Sequence, residues 1–355
     1  MKFSEDCHKV KNTQHLTIYD STLRDGAQTR GLAFGLNDKF RIAEILDSLK
    51  VDYIEAGWPG ANPTDDEFFN NMPKTKNSKI VAFGMTRKKG QKAKNDLTFN
   101  KILNSGASVA CIVGKTWDFH VKNALEITND ENLEMISDSI EYASKKMNEI
   151  LFDAEHFFDG YKANPTYAMK TIESAYKAGA NYIVLCDTNG GTLPYEIEEI
   201  IHQVNKKIPS KNIGVHFHND SDLATANSLE AVRLGVGQVQ GTFNGLGERC
   251  GNVNLINVVA NLCLKMHLKI KIQKNINQLT NSSRMIDEIL NRTPNRNLPF
   301  VGSSAFAHKG GLHISAVEKN PTCYEHIDPK LVGNERRLVV SNQSGKANII
   351  SQLKK

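Results

Sequence analysis

A chain of 355 residues with 40% hydrophobic content can bury one large core or two ordinary ones. Its 44 Lys and Arg are scattered among 39 Asp and Glu, a formal charge of +5 that excludes the strongly basic surface of a nucleic-acid-binding protein. Six cysteines without a C-x-x-C pair exclude a disulfide framework or zinc knuckle; with no apolar run of signal-peptide or bilayer length, a reducing cytoplasm is the expected home.

From Leu16 to Leu268, short β-branched runs alternate with longer segments of helical period. The runs are "HLTIYDS", "VDYIEAG", "KIVAFGM", "ASVACIVG", "EILFDAE", "NYIVLCDT", "NIGVHFH" and "QVQGTF". Parallel strands need helical crossovers, and a closed ring leaves no sheet edge, so eight such runs predict an α/β fold, a (β/α)8 TIM barrel over 1–268. An open doubly wound sheet is the structural alternative. Asn37 or Asp38 offers a cap for the helix in "GLNDKFRIAEILDSLK", and Asp130 one for "TNDENLEMISDSIEYASKKM". The basic run "TRKKGQKAK" (Thr86 to Lys94) reads as a solvated loop, with an anion-attracting rim beside an active site as the alternative. Beyond Leu268 the pattern changes to a helical linker, 269–300, and a small, mostly helical second subdomain, 301–355.

Barrel enzymes place their chemistry at the C-terminal ends of the strands. Here those ends are unusually polar: "YDSTLRDG", Glu55, Glu155, "CDTNGG" with Asp187, Thr188 and Asn189, "HFHND" and "GTFNGLGERCGN". Side chains alternate along a strand, so His216 and His218 share one face and Val215 and Phe217 the other. Two imidazoles on one face suit a divalent ion, and Asp25, after the first strand, is the best candidate for its oxygen ligand. Asn252 fits a fourth ligand or a helix N-cap equally well, and Asp25 also fits a turn in "RDG". Arg24 provides a fixed cation for an oxyanion, or else an ordinary salt bridge. Cys186 and Cys250 read as packing or idle thiols, with Cys250 a nucleophile only if its loop is mobile. Gly241, Gly245, Gly247 and Gly251 stand in the wrong frame for a dinucleotide fold, and Ser344 to Lys346 ("SGK") lacks the upstream glycine of a phosphate loop.

With these residues assembled, the chain resembles the isopropylmalate synthase/homocitrate synthase family, metal-dependent acyltransferases that share the "STLRDG" turn and the "H-x-H-N" strand. Longer strings carry the resemblance over nearly the whole chain, among them "YIEAGWPGANP", "DAEHFFDGYKANP", "VLCDTNGGTLP", "FVGSSAFAHKGGLHISAVEKNP" and "YEHIDPKLVGN". They are most similar to the branch whose acceptor is pyruvate. The resemblance implies condensation of acetyl-CoA with pyruvate to (R)-citramalate and CoA, on a route to isoleucine, by a homodimer. Asp25, His216 and His218 match the family's metal ligands and Asn252 the weaker fourth position, for Mn, Mg, Zn or Co. Arg24 matches the arginine facing the reacting carbonyl, and Glu155 and Thr188 match positions lining the 2-oxo acid site. His313 and Tyr324 match residues of the second subdomain that reach over an active site, His313 as a candidate base. Two departures stand out: Ser315 replaces an aspartate that many relatives carry, and the usual C-terminal regulatory domain is expected to be absent after Lys355. Alternative readings are an isopropylmalate or homocitrate synthase taking another 2-oxo acid, or a truncated non-catalytic barrel. The related lyases and carboxyltransferases fit less well: no lysine occurs in "NYIVLCDTNGG", and Cys250 sits in a different string.

Overall fold

The computed structural model describes residues 16–339. Eight short strands, most of them largely apolar, are covered on both faces, the condition under which parallel strands are stable. They are β1 (Thr17–Asp20), β2 (Tyr53–Gly57), β3 (Lys79–Met85), β4 (Val109–Lys115), β5 (Glu149–Glu155), β6 (Tyr182–Asp187), β7 (Ile213–Phe217) and β8 (Gln238–Gly241). Each pairs in parallel with its successor, and β1 closes on β8 through Thr17 to Asp20 opposite Gln238 to Gly241. The ring is a closed (β/α)8 barrel, and the open-sheet alternative is excluded. Because the ring closes, β1 has both β2 and β8 as neighbours, which brings the start and the end of the barrel sequence to one rim.

Alternation along the strands divides the core in two. Outward side chains such as Ile18, Ile54, Ala82, Ile112, Phe152, Val215 and Phe217 join the helices in one large apolar layer. Inward side chains, Tyr19, Tyr53, Val81, Phe83, Val109, Cys111, Leu151, Val184 and Cys186, fill the barrel interior. The helices begin at identifiable caps. Asn62 accepts from Asp65 N ahead of Pro63–Asn70, Asp96 from Thr98 N ahead of Leu97–Leu103, and Asn164 from Tyr167 N ahead of Pro165–Lys177.

Two expected caps fall elsewhere. The helix Leu36–Leu49 starts after Gly35, and Asp38, inside its first turn, accepts from Gly35 N at 3.0 Å. The helix Asn129–Ser144 is capped by Thr128, which accepts from Glu131 N, with Asp130 inside the first turn. In both, an acidic residue is favoured by the helix dipole within the first turn, so acidity alone marks the turn and leaves the cap open. Arg87 corrects the solvated-loop reading of Thr86 to Lys94: it is buried, with Nε 2.8 Å from Asp138 Oδ2, while Lys88 and Lys89 are exposed.

Beyond the last barrel helix, Leu255–Leu264, come a 3-10 stretch, Lys271–Gln278, and the helix Leu279–Ile289. The segment after Phe300 carries the helix Gly311–Lys319 and a two-stranded parallel ribbon, β9 (Ala307–His308) with β10 (Arg337–Leu338). It is tied back by Thr280 Oγ1, which donates to Val332 O at 2.7 Å, and Lys265 Nζ, which donates to His326 O at 2.7 Å. The "SGK" at 344–346 lies outside the described residues.

Candidate active site

The C-terminal rim of the barrel surrounds a cavity of about 260 Å³ whose walls include Arg24, Asp25, Glu155, Thr188, His216 and His218. Asp25, His216 and His218 are all buried, and one donor atom from each lies within 4.8 Å of the others. His216 ends one face of β7, and His218 stands just past the strand, where it forms an isolated bridge to Asn252. Asp25 Oδ2 is 3.3 Å from His216 Nε2 and 3.9 Å from His218 Nε2.

The residue types and their partners fit a divalent cation. His216 Nδ1 is 3.0 Å from Gln240 Oε1, which makes Nδ1 the donor and leaves the Nε2 lone pair facing Asp25. Gln240 in turn donates from Nε2 to Asp153 Oδ1 at 3.2 Å. Asn252 Nδ2 donates to Asp25 Oδ2 at 3.0 Å, while its Oδ1 is buried with no partner among the described residues. A buried carbonyl oxygen without a donor is costly, and a cation would satisfy it. The helix-cap reading of Asn252 fails, because the cap of Leu255–Leu264 is Asn254. Asp25 precedes a 3-10 turn but makes no side-chain cap bond, so its carboxylate belongs to the triad and not to the turn.

The electrostatics hold Asp25 ionised and His218 neutral, the forms that ligate a cation. Burial alone would raise the Asp25 carboxyl, but Arg24 and the two imidazoles outweigh it and hold the group well below the usual carboxylate range. Burial, reinforced by His216, pushes His218 down to about 4, so it is neutral near pH 7. Burial also opposes charge on His216, but Asp25 outweighs it and raises this imidazole.

Arg24 is no surface cation. Its Nε meets the buried Glu55 Oε2 at 2.7 Å, and its guanidinium lies 3.8 Å from the centre of the Phe83 ring. Glu55 also accepts from Tyr19 Oη at 2.7 Å and from Ser21 Oγ, so Arg24 stands on a carboxylate already held by two other donors. Glu155 pairs with Lys115, its partner in the β4–β5 register. Thr188 Oγ1 accepts from His156 N at 2.9 Å, and Arg249 reaches across to Thr188 O at 2.6 Å and Asp220 at 2.7 Å.

Motif reading passes over several residues of this site: Phe83, Lys115, Asp153, Gln240 and Arg249. The first four occupy inward strand positions, and Asp153 is two residues before Glu155 on the same face, so strict alternation from the known site residues finds it. Asp153 is pushed up to about 6 by burial and then by Glu55. His313 and Tyr324 are not brought to the cavity. Their rings stack on each other at 4.1 Å in the segment after Phe300, and both side chains are exposed. Cys186 lines the cavity, buried; Cys250 is exposed outside it.

The HMGL-like family profile matches residues 15–286, and the homocitrate synthase post-HMGL domain-like profile matches residues 300–355. The chain belongs to the HMGL-like family. It is 51% identical to the (R)-citramalate synthase of Aquifex aeolicus over 95% of this chain and 64% of that protein. Identity to the (R)-citramalate synthase of Geobacter sulfurreducens is 50%, over 94% and 64%. The chain thus spans slightly less than two thirds of these relatives. The 2-isopropylmalate synthase of Sulfurisphaera tokodaii is 33% identical, over 96% of this chain and 85% of that protein. Among solved structures, the HMG-CoA lyase of Bacillus subtilis superposes with a TM-score of 0.66 at 20% identity, covering 81% of this chain and 98% of that chain, a likeness of fold. Among the described residues no helix is long and apolar enough to cross a membrane.

Proposed function

We propose that this chain is the catalytic part of a citramalate synthase, condensing acetyl-CoA with pyruvate to give citramalate and CoA. The observation that supports it best is the joint one: a buried Asp-His-His triad beside a fixed arginine in a small cavity, on a chain about half identical to proteins named (R)-citramalate synthase and a third identical to 2-isopropylmalate synthases. A divalent cation held by Asp25, His216 and His218, with Asn252 Oδ1 beside them, supplies Lewis acidity to a 2-oxo acid's ketone.

The chain's own residues do the rest. Arg24, locked on Glu55 and Phe83, faces the oxygen that turns into an alkoxide as the methyl carbon of acetyl-CoA bonds to the ketone carbon. Thr188 lies beside Glu155 on the rim and orients the acid. Glu155, at the cavity wall, takes the methyl proton, in place of His313, which stands outside the cavity. The alkoxide then takes a proton, and water cleaves the thioester, releasing the CoA thiol. On this reading His313 and Tyr324 act on a neighbouring copy's cavity in a homodimer, and the product feeds isoleucine synthesis.

The test is thiol release from acetyl-CoA by chelator-treated chain, with Mn, Mg, Zn or Co restored and with pyruvate, 2-oxobutanoate or 2-oxoisovalerate in separate reactions. Metal-dependent release greatest with pyruvate, lost in His216→Ala, is expected. Preference for 2-oxoisovalerate would make it an isopropylmalate synthase, and folded, metal-bound chain inactive on every acceptor would make it a non-catalytic barrel.

A further inference from the structure

The peptide unit between Glu155 and His156 stands at the end of β5 with a partner on each side. A trans peptide points its C=O and N–H in opposite directions, so one unit can reach two neighbours. Glu155 O accepts from Thr116 Oγ1 at 2.7 Å, just past β4, and His156 N donates to Thr188 Oγ1 at 2.9 Å, just past β6. Thr188 lines the cavity beside the triad. A threonine hydroxyl carries one hydrogen, and its oxygen here is already an acceptor. Thr188 Oγ1 donates to no group among the described residues, so its hydrogen is left for whatever enters the cavity.

The direction of that peptide depends on His156, whose backbone is left-handed, with φ 56° and ψ 32°. A residue with a Cβ adopts this conformation at a cost. The strand before it and the helix Phe157–Ala163 after it are fixed, so relaxing φ at His156 swings the peptide plane and both of its hydrogen bonds. The side chain offsets the cost. Its imidazole is buried, with its ring centre 4.3 Å from that of His120 and 5.8 Å from that of Trp117. Its Nδ1 lies 3.2 Å from Asp159 Oδ2, and a carboxylate only accepts, so Nδ1 donates. Asp159 Oδ2 also accepts from Asn189 Nδ2 at 2.9 Å, which ties the His156 ring to the residue after Thr188.

We propose that His156 and Asp159 are positioning residues for the acceptor substrate: they hold the Glu155–His156 peptide against Thr188, fixing its hydroxyl as a donor to the carboxylate of a 2-oxo acid. The assignment rests on the acyltransferase reading, in which Thr188 orients the acid, and deepens it. Neither residue lines the cavity, so both act through Thr188.

The test compares His156→Ala, His156→Gly, Asp159→Ala and Asp159→Asn in the full chain with its metal ion restored. Thiol release gives KM for pyruvate and for acetyl-CoA, and calorimetry gives pyruvate affinity without turnover. The two alanine variants are expected to raise KM for pyruvate and weaken its binding on the order of tenfold, with KM for acetyl-CoA and metal affinity unchanged. His156→Gly should do less than His156→Ala, because glycine holds the left-handed backbone without a ring and keeps the N–H. Loss of packing alone predicts the reverse order, since glycine leaves the larger void. Asp159→Asn should do less than Asp159→Ala, because its amide oxygen still accepts from Nδ1. Asp159 is partly exposed, so its variants carry the test if His156→Ala does not fold. Glycine as harmful as alanine at His156, unchanged pyruvate affinity in the alanine variants, or equal rises in both KM values overturns the assignment. An unaltered chain that binds pyruvate and releases no thiol loses the acyltransferase reading alone, and the affinities still decide the positioning role. One that binds no pyruvate loses both.

Discussion

Gln240 shows how one residue prepares another. It stands opposite His216 in the β7–β8 register and accepts from the imidazole, which fixes the tautomer whose Nε2 faces Asp25. Gln240→Leu keeps the size, removes the acceptor and leaves His216 free to turn. The chain should then bind a divalent ion about 10- to 100-fold more weakly, measured by competition with a chelating dye, with circular dichroism unchanged. Asp20 provides a test on pH. Burial pushes its carboxyl up to about 7 against the hydrogen bonds from Thr22, so the folded state holds this proton more tightly than the unfolded chain, where the group is near 3.8. Its contribution is therefore full below about pH 4 and lost as pH rises through about 7. Asp20→Asn should gain urea stability relative to the unaltered chain between pH 4 and pH 8, and a difference that does not change with pH would contradict this account.

At the scale of elements, short strands are positioned by close backbone approaches as much as by side chains. Gly237, leading into β8, donates to Ser210 O and Ile213 O, and a Cβ there would sit 2.2 Å from Lys211 O. Gly237→Ala must move one of these backbones and should cost about 1–3 kcal/mol in denaturant unfolding. Because β8 carries Gln240, the same variant should weaken metal binding, whereas an equally destabilising change in Gly311–Lys319 should not. Strand existence was legible from β-branched runs, and the eight were found at nearly their right places. Strand ends were not: His218 lies past β7 and is placed by its bridge to Asn252, a pairing between residues far apart in sequence.

For the whole molecule, closure is the decisive property. The triad joins the segment after β1 to the end of β7, and Asn252 comes from beyond β8, so the site exists only when the ring has closed. An ion that binds this assembled site and not the unfolded chain stabilises the fold by mass action, about 2.7 kcal/mol at a hundred times its Kd. Tm should rise by several degrees on adding the ion and be insensitive to it in Asp25→Asn, read by calorimetry with and without chelator. A rise of equal size in that variant would move the ion elsewhere.

The sequence by itself determined the barrel, because short β-branched runs alternating with helical segments leave few ways to bury both faces of parallel strands. It also determined Asp25, His216 and His218 as companions, because strand alternation and position at strand ends are local properties. Only the tertiary structure decided what each of them touches. Arg24 on Glu55 and Phe83, the His216–Gln240–Asp153 relay, and Lys115 beside Glu155 all join residues from different strands. Such contacts are set by ring closure and register, which depend on long-range pairing that no local run of residues encodes.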